Sequence, residues 1–164
     1  MTAPWTEAAV HLVLTPADAP VARALMAELD AEVAERDPGA PIHGLHPGEH
    51  RDPRLRFFVL TAGGITVGCG AIRVLAPDTA ELKRMFVRRP FRGRGLSQSL
   101  LRGLEDRARA SGIRFLRLET GPRQVEALAL YRSAGYRGIA TYGEYVDNPE
   151  SICMEKVLAA EEGA

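Results

Sequence analysis

The residues that could do chemistry gather first in one stretch, residues 80–101, AELKRMFVRRPFRGRGLSQSLL. It reads as a strand over 80–87, a basic turn over 88–94 and a helix over 95–110. Pro90 stops the strand, and Gly93 and Gly95 follow closely. Glycines at a strand-to-helix turn let the backbone approach a ligand. The free N–H groups of the first helical turn, with the positive end of the helix dipole behind them, favour an anion there. Arg88, Arg89, Arg92 and Arg94 add positive charge at the same place. The chemistry implied is phosphate binding. It is not that of a nucleotide P-loop, because no G-x-x-x-x-G-K-[ST] is present. Nor is it a dinucleotide fingerprint, because Gln98 stands where the third glycine belongs.

Other reactive side chains are less organised. His43, His46 and His50 share one loop rich in Pro, Gly and His, residues 40–54. No Cys and no strand-fixed ligand lies near them, so no metal is expected there, and contact of one His with substrate is the better reading. Cys69 and Cys153 each sit in an apolar, strand-like run. They read as reduced core thiols of a cytoplasmic protein. No His lies in an evident partner position, so neither is expected to carry an acyl group. Glu119 closes a predicted strand, where ligands collect in α/β units.

The elements that must position these groups follow from periodicity. Residues 8–14 form a first strand. A helix runs from Pro20 to about residue 36, with Asp18 near its cap and Val21, Leu25, Leu29 and Val33 repeating every four residues. Strands at 55–61 and 65–75, joined by the turn 62–64, continue into strand 80–87 as an antiparallel meander. Gly68 and Gly70 suggest a bulge or a close backbone approach. The helix after the turn carries Leu96, Leu100, Leu101 and Leu104 on one face. A strand at 113–119 then completes a βαβ unit, so it lies near-parallel to 80–87. A helix at 124–134, capped by Gly135, and strands at 136–142 and 151–158 end the chain.

The 164 residues are enough for one domain, 1–164, with a core over about 8–158. The 21 basic and 21 acidic residues cancel. That balance, and the lack of aromatic stacking stripes, count against a nucleic-acid partner. No run is apolar enough to span a bilayer, and no signal peptide is expected at the N-terminus.

With the cradle in this frame, the chain resembles the GNAT superfamily of N-acetyltransferases over most of its length. The family's [Q/R]-x-x-G-x-[G/A] signature falls on Arg92, Gly95 and Ser97, where Ser97 replaces Gly or Ala. Its N-x-x-A-x-x-L-Y-x-x-x-G-[FY] signature falls on Gln124, Ala127, Leu130, Tyr131, Gly135 and Tyr136, with Gln124 in place of Asn.

The resemblance implies a mixed α/β fold: a mostly antiparallel sheet of six or seven strands flanked by about four helices. It implies acetyl-CoA as co-substrate, with no metal. The backbone from Arg92 through Gly93, Arg94, Gly95 and Leu96 to Ser97 would hold the pyrophosphate, and Arg88, Arg89 or Arg94 the 3′-phosphate. Met85, Phe86 and Val87 would flank the pantetheine arm and thioester, with an N–H of Phe86 or Val87 polarising the carbonyl. Gln124 would contact the arm. Tyr131 would protonate the leaving thiolate, and Glu81 would be the base, with Glu119 as its alternative. The acceptor would be an amine of a small molecule or a protein, lined by loops 37–50 and 143–150, where Glu144, Asp147 and Glu150 suit a cation. A homodimer is left open, and a catalytically idle acyl-CoA sensor is the competing function.

Overall fold

The computed structural model describes residues 9–41, 43–46 and 48–159. Among them seven strands and three α-helices alternate: β1 (Val10–Thr15), α1 (Pro20–Arg36), β2 (Leu55–Ala62), β3 (Ile65–Ala76), β4 (Thr79–Val87), α2 (Leu96–Ala110), β5 (Phe115–Thr120), α3 (Val125–Ser133), β6 (Arg137–Ile139) and β7 (Ile152–Val157). In place of a fourth helix there are 3-10 turns at Glu49–Arg51, Arg89–Phe91 and Gly143–Tyr145. These segments carry Pro, Gly and charged residues and have no apolar stripe to bury, so each stops after one turn.

One sheet runs β1-β2-β3-β4-β5-β7-β6. Only β4 and β5 are parallel. β7 enters between β5 and β6, so the last strand in sequence lies inside the sheet. The two-residue period of β2 divides the core. Phe58 and Leu60 pack on the side of α2 and α3, while Phe57 and Val59 pack on the side of α1. α2 buries Leu96, Leu100, Leu101, Leu104 and Ala108, the stripe expected of it. Each of those leucines contributes about 1.5–3 kcal/mol by leaving water. Gly70 is opposite them; a Cβ there would stand 2.6 Å from Leu104 Cδ1.

α1 departs from its expected stripe. Leu25 is buried, but Val21 is exposed, and Leu29 and Val33 line open clefts. The helix starts at Pro20 with Ala19 as its cap, and the Asp18 side chain makes no capping bond. Half of the apolar face of α1 is therefore a wall of the site rather than core.

Two irregularities shape that site. First, β4 and β5 pair only over Thr79–Glu81 with Phe115–Arg117. Beyond Glu81 the strands separate. Second, β4 bulges against β3. Cys69 faces Phe86 and Ala71 faces Lys83, so Gly70 alone opposes Arg84 and Met85. Arg84 takes φ 57°, a left-handed conformation that costs a non-glycine residue about 1–2 kcal/mol. Its side chain offsets that cost by donating to Asp30 Oδ1 at 2.7 Å and Met26 O at 3.0 Å on α1.

Candidate active site

Two clefts open on the separated strands, and they share Leu29, Met85, Gln124, Ala127 and Tyr131. The first is the cofactor groove suggested by the sequence. Met85, Phe86, Val87, Arg92, Gly93, Gly95, Leu96, Ser97, Gln124 and Tyr131 all line it. Gly93 and Gly95 have φ 77° and 78°, and a Cβ on either would meet nothing within 4 Å. Gly95 caps α2, and the first helical bond runs from Ser99 N to Gly95 O at 3.1 Å. The N–H groups ahead of Ser99 have no intrahelical acceptor and face the groove. These residues fit a pyrophosphate.

The arginines behave differently from their expected roles. Arg94 lies outside the lining, with its guanidinium 6.0 Å from the centre of the Phe91 ring. Arg92 donates to both Glu32 oxygens and to Val87 O at 2.9 Å, and its own N–H is spent on Arg89 O at 3.3 Å. The cradle therefore begins at Gly93, and the Arg92 side chain fastens α1 to it. Hydrogen bonds from Arg92 hold Glu32 below the usual carboxylate range; burial opposes them, and Arg89 reinforces them. Arg88 and Arg89, expected on the 3′-phosphate, pair with Glu28 at 2.9 Å and with Glu32 at 3.0 Å.

At the bulge the backbone donors divide. Arg88 N–H is spent on Val67 O at 2.8 Å. The alternation of a strand turns the N–H of Val87 the other way, toward the gap between β4 and β5. Tyr131, on α3, is 8% exposed, and burial pushes its hydroxyl up to about 12. That hydroxyl has no hydrogen-bond partner among the described residues.

The second cleft, a cavity of about 200 Å³, runs from Tyr131 between β4, the end of β5, the loop after α1 and the segment before β7. Glu119, His43, Asn148, Ser151, Tyr145 and Lys83 line it. Burial pushes the Glu119 carboxyl above its usual range, against the opposing effects of the Ser151 hydroxyl and His43; the charges of Glu81 and Glu144 push it further up.

Glu81 is placed elsewhere. It is 0% exposed and lines none of the clefts. Its carboxylate accepts from Tyr142 Oη and from Arg73 Nη2 at 3.1 Å, with Lys83 Nζ at 3.9 Å. Lys83 also approaches Glu144 at 3.6 Å and Gly44 O at 3.4 Å. Glu81 thus anchors β4 to the loops at residues 44–49 and 142–145. The expected base is enclosed because the pairing of β4 with β5 runs through its own position. Burial, and then the charge of Glu81, raise the Tyr142 hydroxyl well above its ordinary value.

The loop carboxylates expected around a cation also separate. Glu144 pairs with His46 at 2.9 Å and with Lys83. Glu150 lines the cleft but shares Arg123 with Asp37, and Asp147 is not in the lining. Asn148, Ser151 and Tyr145 were not legible as site residues, because nothing in their local spacing differs from an ordinary loop. The three histidines address three carboxylates: His43 lies 3.5 Å from Glu119, His46 pairs with Glu144, and His50 is 4.0 Å from Asp18. Cys69 and Cys153 are buried free thiols, and burial pushes Cys69 up to about 12. No helix among the described residues is long and apolar enough to cross a membrane.

Residues 21–136 match the model of the Acetyltransferase (GNAT) family. The chain is 40% identical over 138 residues to an IAA acetyltransferase of Azospirillum brasilense, covering 82% of this chain and 88% of that one. A chain from Klebsiella pneumoniae, assigned by its name to acyl-CoA N-acyltransfer, is 32% identical with a TM-score of 0.78, over 93% of this chain and 100% of its own. A GNAT family acetyltransferase from Elizabethkingia anophelis with acetyl-CoA bound is 19% identical with a TM-score of 0.67, over 92% of this chain and 99% of that one; at that identity the likeness is one of fold. The chain is a member of the GNAT acetyltransferase family.

Proposed function

We propose that this protein transfers acetyl from acetyl-CoA directly to the primary amine of a small molecule. The observation that carries the reading is that Tyr131, whose hydroxyl has no hydrogen-bond partner among the described residues, stands where the first groove meets a second, narrow cleft. One cleft suits a long phosphate-bearing co-substrate and the other a compact acceptor. In this reading Gly93 through Ser97 hold the pyrophosphate through backbone N–H groups. Met85, Phe86, Val87 and Gln124 flank the pantetheine arm, and acetyl-CoA supplies the activated acetyl group as a thioester. The Val87 N–H polarises the thioester carbonyl, and Tyr131 protonates the departing thiolate. The carboxylate that faces the acceptor is Glu119, which leaves Glu81 to hold the walls of the cleft.

The test is a panel of primary amines scored by release of CoA thiol. The name of the similar Azospirillum brasilense enzyme adds IAA, which has no primary amine, as a separate candidate acceptor scored beside that panel. Turnover with a small amine supports the reading. Tight acetyl-CoA binding with no thiol release for any acceptor would leave an acyl-CoA sensor instead.

A further inference from the structure

We propose that His43 and Glu119 work together as the proton acceptor for the incoming amine, which makes His43 a catalytic residue; this rests on the N-acetyltransfer reading above. His43 Nε2 lies 3.5 Å from Glu119 Oε2 and 3.3 Å from Asn148 Nδ2. Both contacts fall on Nε2, which accepts from the Asn148 amide when unprotonated and donates to the Glu119 carboxylate when protonated. The two residues come from distant segments, one from the loop after α1 and one from the end of β5, yet both line the acceptor cleft that Tyr131 closes.

A third segment fixes them both. Ser151 Oγ donates to Glu119 Oε2 at 2.7 Å, Asn148 meets His43, and the Tyr145 ring stands edge-on to the imidazole at 4.9 Å. The Glu119 side chain is 13% exposed and that of His43 23%. The pair thus reaches from the inside of the cleft toward water, as a proton path requires. The other histidines differ, since neither His46 nor His50 lines this cleft.

The surroundings favour a shared proton. Glu119 faces Glu81 on β4 and Glu144 on the 3-10 turn, and both charges disfavour a further negative one. Lys83 on β4 lines the same cleft but is occupied by those two carboxylates. Asp37 and Glu150 at the cleft are bridged by Arg123. Among the carboxylates that line the cleft, Glu119 is the one with no Lys or Arg partner within 4.0 Å.

The step balances as follows. The acceptor ammonium gives one proton to Glu119, which passes it to His43 Nε2. The freed lone pair forms a C–N bond with the thioester carbonyl carbon, and the C–S bond breaks. Tyr131 gives its proton to the sulfur and regains one as the nitrogen sheds its second. The products are an N-acetyl amine, a free thiol and one proton released through His43.

The experiment compares wild type, His43→Gln, Glu119→Gln and the double variant, using the amine that wild type turns over best. Each single substitution should lower kcat about 10²-fold and displace the acidic limb of the kcat–pH profile. The double variant should fall no more than about threefold below the worse single, because the two groups serve one proton transfer. Acetyl-CoA affinity and melting temperature should stay at wild-type values. Added imidazole should restore turnover to His43→Ala but not to Glu119→Gln. Wild-type kcat and pH profile in His43→Gln, or losses that multiply in the double variant, would overturn the pair while N-acetyltransfer stands. No thiol release by wild type with any amine would overturn both.

Discussion

The groove proposed for the cofactor and the cleft proposed for the acceptor meet at Tyr131 but are built in opposite ways. The groove is made of backbone. Its candidate donors are the N–H groups of a glycine turn and of a bulged strand, all within residues 85–97, and the Arg88, Arg89 and Arg92 side chains pair with glutamates of α1. The acceptor cleft is made of side chains from segments far apart in sequence: His43, Lys83, Glu119, Tyr145, Asn148 and Ser151. A backbone site binds what its members share, and a side-chain site selects what distinguishes them. The same contrast separates a buried carboxylate from a half-buried one. Glu81 is enclosed with Arg73, Lys83 and Tyr142, while Glu119 keeps a face toward the cleft.

The comparison breaks most sharply at Gly95. Gly95→Glu should abolish acetyl-CoA binding in calorimetry, because it puts a side chain at φ 78° and a negative charge against the phosphates. Normal binding would mean the cradle lies elsewhere. Next, Glu81→Ala should cost about 3–5 kcal/mol in urea unfolding, since it removes the fully buried carboxylate that pairs with Arg73 and with buried Lys83, which keep only Glu49 and Glu144. A fall in turnover at unchanged stability would instead return the base to Glu81. Tyr131→Phe should lower kcat about 10²-fold and leave acetyl-CoA affinity in place; unaltered turnover would remove this hydroxyl from the mechanism.

Smaller effects test the walls. Glu32→Gln should cost about 1 kcal/mol or less, because the Arg92 pair is partly solvated. The pH dependences of the two glutamates should have opposite signs. Glu32 is held low, so its contribution is present above the ordinary carboxylate range and is lost as pH falls through its lowered value. Glu119 is held high, so the folded chain binds its proton more tightly than the unfolded one. Its contribution is therefore present at acid pH and falls as pH rises from about 4.5 toward the raised value. Unfolding of Glu119→Gln should lack that second slope.

Most of the frame was legible along the chain. The stripe of α2, the meander of β2 to β4, the parallel β5 and the two signatures all depend on residues close in sequence, where periodicity and turn chemistry act. What the chain could not show has one cause. Val33 looks like core by spacing, and Arg88, Arg89 and Arg92 cluster at one turn with no partner nearby in sequence. Their actual partners lie on elements some sixty residues away, as the pairs with Glu28 and Glu32 show. A charge placed by spacing alone carries no record of what will fold against it.

The sequence by itself determined the sheet and the glycine turn at Gly93 and Gly95 ahead of α2, because glycine conformation and short-range periodicity act locally. Only the tertiary structure decided which glutamate lines the second cleft. β4 and β5 pair through Glu81 and then part, which buries one carboxylate within its cations and brings the other beside His43. That choice depends on where two strands separate, and no single segment contains it.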